Sequence, residues 1–201
     1  MAKQIKRQDP VNTLFLRYEK EPAHATQVRR LTLQLFDGLT ELHGFGDRER
    51  QWLEAAALLH DIGWSQGPKA HHKNSMKLIL KHRFDGWTEE EQLIVANIAR
   101  YHRKSAPKLS HKNYAALPTA ARQIVLKLAA ILRIADGLDR SHGNVVEKID
   151  CKIDPDRLSL TLVCHRDIHS ELYGFEKKRH LFEKAFGLPV VINNIKNSWD
   201  N

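Results

Sequence analysis

Residues 55–64 read AAALLHDIGW. The Ala and Leu residues belong to a helix that buries an apolar face, yet the run ends in His60 and Asp61, followed at once by Ile62 and Gly63. An imidazole and a carboxylate beside an apolar face need a partner or an ion, because burying a charge alone is costly. The helix reads from 47 to 63, with Asp47 as its N-cap and Gly63 as its stop. Adjacent residues on a regular helix point roughly 100° apart. At a fraying helix end that angle closes, so both side chains can face one point.

Upstream, Pro22 suits a first helical turn. The stretch AHATQVRRLTLQLFDGLTELHG (23–44) puts Val28, Leu31, Leu35 and Leu39 on one face, and His24 points into the same face. Residues 1–20 form an irregular arm or a short helix around TLFLRY (13–18). Downstream, WSQGPKA (64–70) reads as a loop and HHKNSMKLILKHRF (71–84) as a short basic helix. Thr88 and Glu91 form a capping-box pattern, opening a helix on which Ile94, Ile98 and His102 stack four apart. SAPKLSHKNYAALP (105–118) links to the most apolar helix, TAARQIVLKLAAILRIADGLDRSHG (119–143), where Leu128, Leu132, Ala135 and Asp136 share a face. After Gly143 the pattern changes to alternation around DPDR (154–157), a hairpin. A helix over 168–187 and a strand LPVVI (188–192) complete it. The expected fold class is mainly α: a helical bundle over 1–144 and a small α+β (β-β-α-β) appendage over 145–201.

The 201 residues, 42% apolar and 28% charged, suit one globular domain with a small appendage. No apolar run reaches the roughly 20 residues of a membrane helix. MAKQIKRQDP (1–10) has no apolar stretch after its charges, so no secretory signal is expected and the cytoplasm is the expected location. There, Cys151 and Cys164 are expected as reduced thiols rather than a bridge across the hairpin. The net charge of +8 favours anionic partners such as phosphates, nucleotides or polyphosphate, against the plainer reading of a solvated basic surface. Nucleic acid is disfavoured, since no strand interleaves aromatic and basic residues and no zinc finger is present.

His24, His60 with Asp61, His102 and Asp136 all come from faces that should be apolar. Imidazole and carboxylate together are the usual ligands of divalent ions such as Zn, Fe and Mn, and facing helices of a bundle can assemble such a site. Each residue alone has a plainer reading: a satisfied core histidine, a chance dipeptide, or Asp136 paired with Arg133 or Arg140. The combination is less easily explained that way.

The order His24, His60-Asp61, Asp136 resembles the H…HD…D signature of the HD-domain superfamily of phosphohydrolases. The stretches LLHDIGW (58–64), HHKNSMKLI (71–79), IARYHRK (98–104), LRIADGLDRSH (132–142) and EKKRHLFEKAFGLPVVI (176–192) resemble more closely the C-terminal HD-like region of the exopolyphosphatase and guanosine pentaphosphate phosphatase family. The resemblance runs from about residue 15 onward. It implies an HD-type bundle in which His24, His60, Asp61 and Asp136 hold one divalent ion, Mn, Mg, Fe or Zn. His71, His72, His102 and Lys73 would then serve a second ion or a phosphate. Two departures stand out. Asn74, a poorer ligand, occupies a position where the family often has His, which weakens the case for a second ion; the large N-terminal phosphatase module of full-length members is absent, so its activity is not carried over, and a separate phosphatase module is one candidate partner.

On this reading the site hydrolyses a phosphoester or phosphoanhydride of a phosphorylated small molecule or polyphosphate. Asp61 orients a water, and Lys69, Arg103 and Arg140, with Lys73 and Lys104, hold phosphoryl oxygens. Asp139 and His142 orient a ligand or a bound phosphate. Trp64 is a packing anchor or a platform for a base. The appendage covers the bundle or makes a homodimer contact, and EKKRH (176–180) is a solvated face or an anion site. The alternative is a non-catalytic module that binds polyphosphate or a guanosine polyphosphate in the same pocket without a metal.

Overall fold

The computed structural model describes residues 9–198. Helix α1 (Asp9–Tyr18) leads into α2 (Pro22–Gly38) and a single turn, α3 (Thr40–His43). Helix α4 (Asp47–Leu59) ends in a 3₁₀ turn (Ile62–Gln66), followed by α5 (His71–Lys81) and α6 (Glu89–Arg100). A short α7 (Lys112–Ala115) lies in the link to α8 (Thr119–Gly137). Strands β1 (Val146–Ile153) and β2 (Leu158–Cys164), helices α9 (His169–Lys178) and α10 (His180–Phe186), and β3 (Val190–Asn197) complete the chain. The architecture is a helical bundle with a small α+β piece at the C-terminal end, the expected class. The part of the expected N-terminal arm before residue 9 lies outside the described residues.

The helices form where the apolar spacing puts them, and their ends are set locally. Thr88 caps α6: its Oγ1 accepts from the Glu91 N–H at 3.2 Å, and the Glu91 carboxylate accepts from the Thr88 N–H at 2.9 Å. Such a cap contributes about 1 kcal/mol. The N-cap of α4 is Gly46 rather than Asp47, because the Glu49 carboxylate reaches back to the Gly46 N–H at 3.0 Å and starts the helix one residue earlier. The helix expected over 23–44 breaks at Gly38–Leu39. A Cβ on Gly38 would stand 2.9 Å from Cys151 Sγ, so β1 packs onto α2 there, and the Phe36 carbonyl accepts from both the Leu39 N–H at 3.1 Å and the His43 ring at 2.8 Å. The helix expected over 168–187 is divided into α9 and α10 at Arg179, which keeps helical angles (φ −60°, ψ −28°).

The hairpin forms as its alternation predicts. β1 and β2 pair antiparallel, with Ile149 opposite Leu162 and Cys151 opposite Leu160. Cys151 and Cys164 therefore face other residues and are free thiols. β3 returns parallel to β2 through α9 and α10, as a crossover requires. The last turns of α8 are buried on every side, from Leu128 to Gly137, and contact both the bundle and α9 and α10. Each buried Leu or Ile there contributes about 1.5–3 kcal/mol. Among the described residues, no helix is long and apolar enough to cross a membrane.

Two glycine contacts place the functional groups. A Cβ on Gly63 would lie 2.1 Å from the His71 carbonyl oxygen and 2.4 Å from the Ser75 nitrogen, so the start of α5 docks directly on the turn after His60-Asp61. Ser75 locks this contact: its hydroxyl donates to the His60 carbonyl at 2.6 Å and accepts from the Gly63 N–H at 2.9 Å. Gly137 and Gly174 do the same for α8 and α9. A Cβ on Gly174 would lie 2.2 Å from the Gly137 carbonyl oxygen, and that crossing sets the end of α9 beside Asp136.

Candidate metal and phosphate site

The last carbonyls of a helix have no partner within it, and here they fix the histidines. His60 follows α4, and its Nδ1–H donates to the Ala57 carbonyl at 2.7 Å. His102 follows α6, and its Nδ1–H donates to the Ala99 carbonyl at 2.7 Å. His24, from the first turn of α2, hydrogen-bonds Asp139 Oδ2 through Nδ1 at 2.7 Å. Each ring is anchored at Nδ1, which leaves Nε2 as the free face, the arrangement that orients metal-binding imidazoles.

These nitrogens meet carboxylates. His24 Nε2 lies 3.6 Å from Asp136 Oδ1, and the ligand atoms of His24, His60 and Asp136 lie within 4.8 Å of one another. A second group within the same limit is Asp61, His71 and His102. Asp61 stands between the two. One oxygen lies 3.7 Å from His60 Nε2, and the other lies 3.3 Å from His71 Nε2 and 3.4 Å from His102 Nε2. Of the four expected ligands, His24, His60 and Asp136 form one triad, and Asp61 belongs to the other, 3.7 Å from His60. His24 Nε2, His60 Nε2 and Asp61 Oδ1 are buried with no hydrogen-bond partner among the described residues. Unpartnered histidine nitrogens beside Asp136, and an unpartnered Asp61 oxygen facing His71 and His102, are the donors that divalent cations take, so the residues present fit one.

The electrostatics differ between the two triads. Burial works against charge on His24, but Asp136 and Asp139 overcome it and push the imidazole up to about 10. Burial opposes ionisation of Asp136 too, yet Lys178 and then His24 hold it well below the usual carboxylate range. Asp61 is likewise lowered, burial being outweighed by His60 and His102. Burial depresses His102 and His71, against the pull of Asp61. Ionised carboxylates and neutral imidazoles are the forms that bind metals, so Asp61, Asp136, His71 and His102 are ready as they stand, whereas His24 must give up a proton before it can ligate.

Asp136 of the first triad and all three residues of the second line a cavity of about 370 Å³. Asp61, His71, His102 and Asp136 form one side, and Arg103, Lys104, Arg140, Lys177 and Lys178 supply cations around them. Arg133 also lines the cavity, donating to the carbonyls of Tyr101 at 2.6 Å, Lys104 at 2.8 Å and Ser105 at 3.0 Å, which fixes the loop carrying His102 and Arg103. Trp64 stacks on His71 with ring centres 4.5 Å apart and donates to Asp61 Oδ2 at 3.3 Å. The non-glycine residues with positive φ among the described residues are Ala70, Lys104, His142 and Asn144. All of them border the site. Ala70 precedes His71, Lys104 follows Arg103, the His142 ring stacks on His24 at 3.8 Å, and the Asn144 N–H donates to Asp139 at 2.9 Å. Such strained backbone concentrates where a surrounding structure over-determines it. A roomier groove of about 630 Å³ lies around His82–Trp87, away from both triads.

Not every expected residue arrives. Lys69 and Lys73 are exposed, Lys69 in the loop before α5 and Lys73 on its outer side, and neither lines the cavity. His72 lies beside His71, with burial pushing it down to about 4, but belongs to neither triad. Asn74 turns its amide toward the Lys69 carbonyl at 3.4 Å. Conversely, Lys178, in the sequence one of several cations in the EKKRH stretch, contacts Asp136 directly. Its signal was Gly174, four residues earlier, a helical glycine whose partner Gly137 adjoins Asp136.

A family model described as Ppx/GppA phosphatase, domain III, matches residues 6–180. The matched span includes both triads, Asp139 and Lys178, and takes in most of the chain, which therefore belongs to the Ppx/GppA phosphatase family.

Proposed function

We propose that this protein is an HD-type, divalent-metal-dependent phosphohydrolase acting on a phosphoester or phosphoanhydride of nucleotide or polyphosphate type. The observation that carries the reading is the set of buried, unpartnered atoms on His24, His60 and Asp61 beside a basic cavity. Leaving a buried polar group unsatisfied costs about 1–3 kcal/mol, so keeping three together implies a partner for them. His24, His60, Asp61 and Asp136 would hold one ion, and His71 and His102, on the far side of Asp61, offer a second place. When bound, a divalent ion makes a water acidic enough to yield hydroxide at neutral pH and polarises a phosphoryl oxygen. The remaining work falls to the protein's own groups. Arg103 and Arg140 bind phosphoryl oxygens, Asp61 orients the attacking water, and Asp139 keeps His24 turned with Nε2 toward Asp136.

The test is metal analysis of protein purified without chelator, beside His60→Ala and Asp61→Ala variants, followed by a phosphatase screen with Mn²⁺ and Mg²⁺. Stoichiometric metal in the wild type, lost in both variants, together with metal-dependent phosphate release supports the reading. A metal-free wild type that gains no activity with either ion refutes it.

One observation favours a non-catalytic anion-binding module instead. Basic side chains already hold two of the candidate ligands: Lys178 on Asp136, and Arg103 donating to His71 Nε2 at 2.8 Å. A cavity so balanced can take an anion without a metal ion. Tight binding of tripolyphosphate by chelated protein, with no hydrolysis, would select this reading.

A further inference from the structure

A buried carboxylate meant for a cation must have a counter-charge when that cation is away, or the fold carries an unpaired charge. Asp136 is buried at the end of α8, and Lys178 Nζ contacts its Oδ2. The contact is built in. Gly137 and Gly174 bring the two helices together backbone to backbone, and Lys178 lies one helical turn after Gly174. The other cavity cations from these elements are engaged elsewhere. Arg140 lies 4.9 Å and Lys177 5.3 Å from the centre of the Tyr173 ring.

We infer that Lys178 is a resident counter-ion that occupies Asp136 until a divalent ion displaces it, so that this one side chain sets the ion affinity of the site. The inference rests on the metal reading above and extends it to a residue outside the ligand set. The ammonium sits on the same carboxylate that the ion must use, so the two compete. A ligand whose site is available only part of the time binds more weakly by that fraction. Removing the ammonium therefore tightens ion binding, and it also leaves buried Asp136 with His24, 3.6 Å away, as its remaining counter-charge in the ion-free fold. A lysine whose role was only to hold α9 in place would do neither selectively.

The test titrates Mn²⁺ into chelator-stripped full-length protein by calorimetry, with thermal unfolding of the same samples. Lys178→Met should bind Mn²⁺ about tenfold tighter or better, unfold at lower temperature when ion-free, and regain most of that loss when saturated. Lys178→Arg keeps the cation and should stay within about threefold of wild type. In an Asp136→Asn background, Lys178→Met should no longer lower the ion-free unfolding temperature, a cycle that isolates the pair. Wild type and Lys178→Met binding Mn²⁺ equally, or the variant binding more weakly, overturns the inference and leaves the metal reading standing. Binding by the variant alone supports it. No binding by either protein overturns both.

Discussion

Gly63→Ala tests how the fold builds the site. The added methyl would stand 2.1 Å from the His71 carbonyl oxygen and 2.4 Å from the Ser75 nitrogen, both backbone atoms of α5. Neither can rotate away, so α5 must retreat by roughly 1 Å, and overpacking of this kind costs about 1–3 kcal/mol. The retreat also stretches the Ser75 bridge between Gly63 and His60, worth about 1 kcal/mol more. At about 2–4 °C per kcal/mol for a chain of this size, the unfolding temperature should fall by about 5–15 °C. His71 moves with α5, and its 3.3 Å separation from Asp61 opens. Misplacing a supporting or ligating group by this much weakens ion binding about tenfold or more. Scanning calorimetry and Mn²⁺ titration read the two effects. Gly187→Ala is the control, since its φ of +68° strains the backbone but nothing lies within 4 Å of the new methyl; it should lose stability without losing ion affinity. A Gly63→Ala protein with wild-type stability and wild-type Mn²⁺ binding would refute the docking of α5 on this turn.

Other outcomes follow from the same geometry. Arg133→Met should lower stability by about 3 kcal/mol, because it strips the carbonyls of Tyr101, Lys104 and Ser105 of a buried charged donor; urea denaturation measures this. In ion-free protein His24 is pushed up to about 10, the carboxylates of Asp136 and Asp139 overcoming burial. Because this folded value lies above the unfolded one, the stabilisation is complete below the unfolded imidazole's value of about 6.5 and fades as pH rises through 10. The stability gap between wild type and His24→Gln, measured in chelator, should therefore shrink between about pH 6.5 and 10. Arg103→Ala should cut phosphatase kcat/KM by about a hundredfold, while Lys69→Ala, off the cavity wall, should stay near wild type in the same assay.

Much of this was legible in the sequence because it rests on local chemistry. The apolar run ending in His60-Asp61, the Thr88–Glu91 cap and the alternation around DPDR each encode their element without distant help. His24, His60, Asp61, His102 and Asp136 stand out together in the sequence because polar residues on apolar faces call for partners. What escaped depends on helix crossings. Nothing local says that Cys151 packs on Gly38 and breaks a helix there. The division of the ligands into two triads depends on where α5 docks, which Gly63 and Ser75 decide together. Lys178 looked like one of several exposed cations, and only the Gly137–Gly174 crossing singles it out. Lys69 and Lys73 misled because closeness in sequence to His71 does not turn a side chain into the cavity.

The most direct measurement is anomalous diffraction from crystals of the full chain soaked in Mn²⁺. The account predicts a peak enclosed by His24, His60, Asp61 and Asp136, with Lys178 withdrawn from Asp136. Mn²⁺ bound only at surface carboxylates, with those four side chains unliganded, would contradict it.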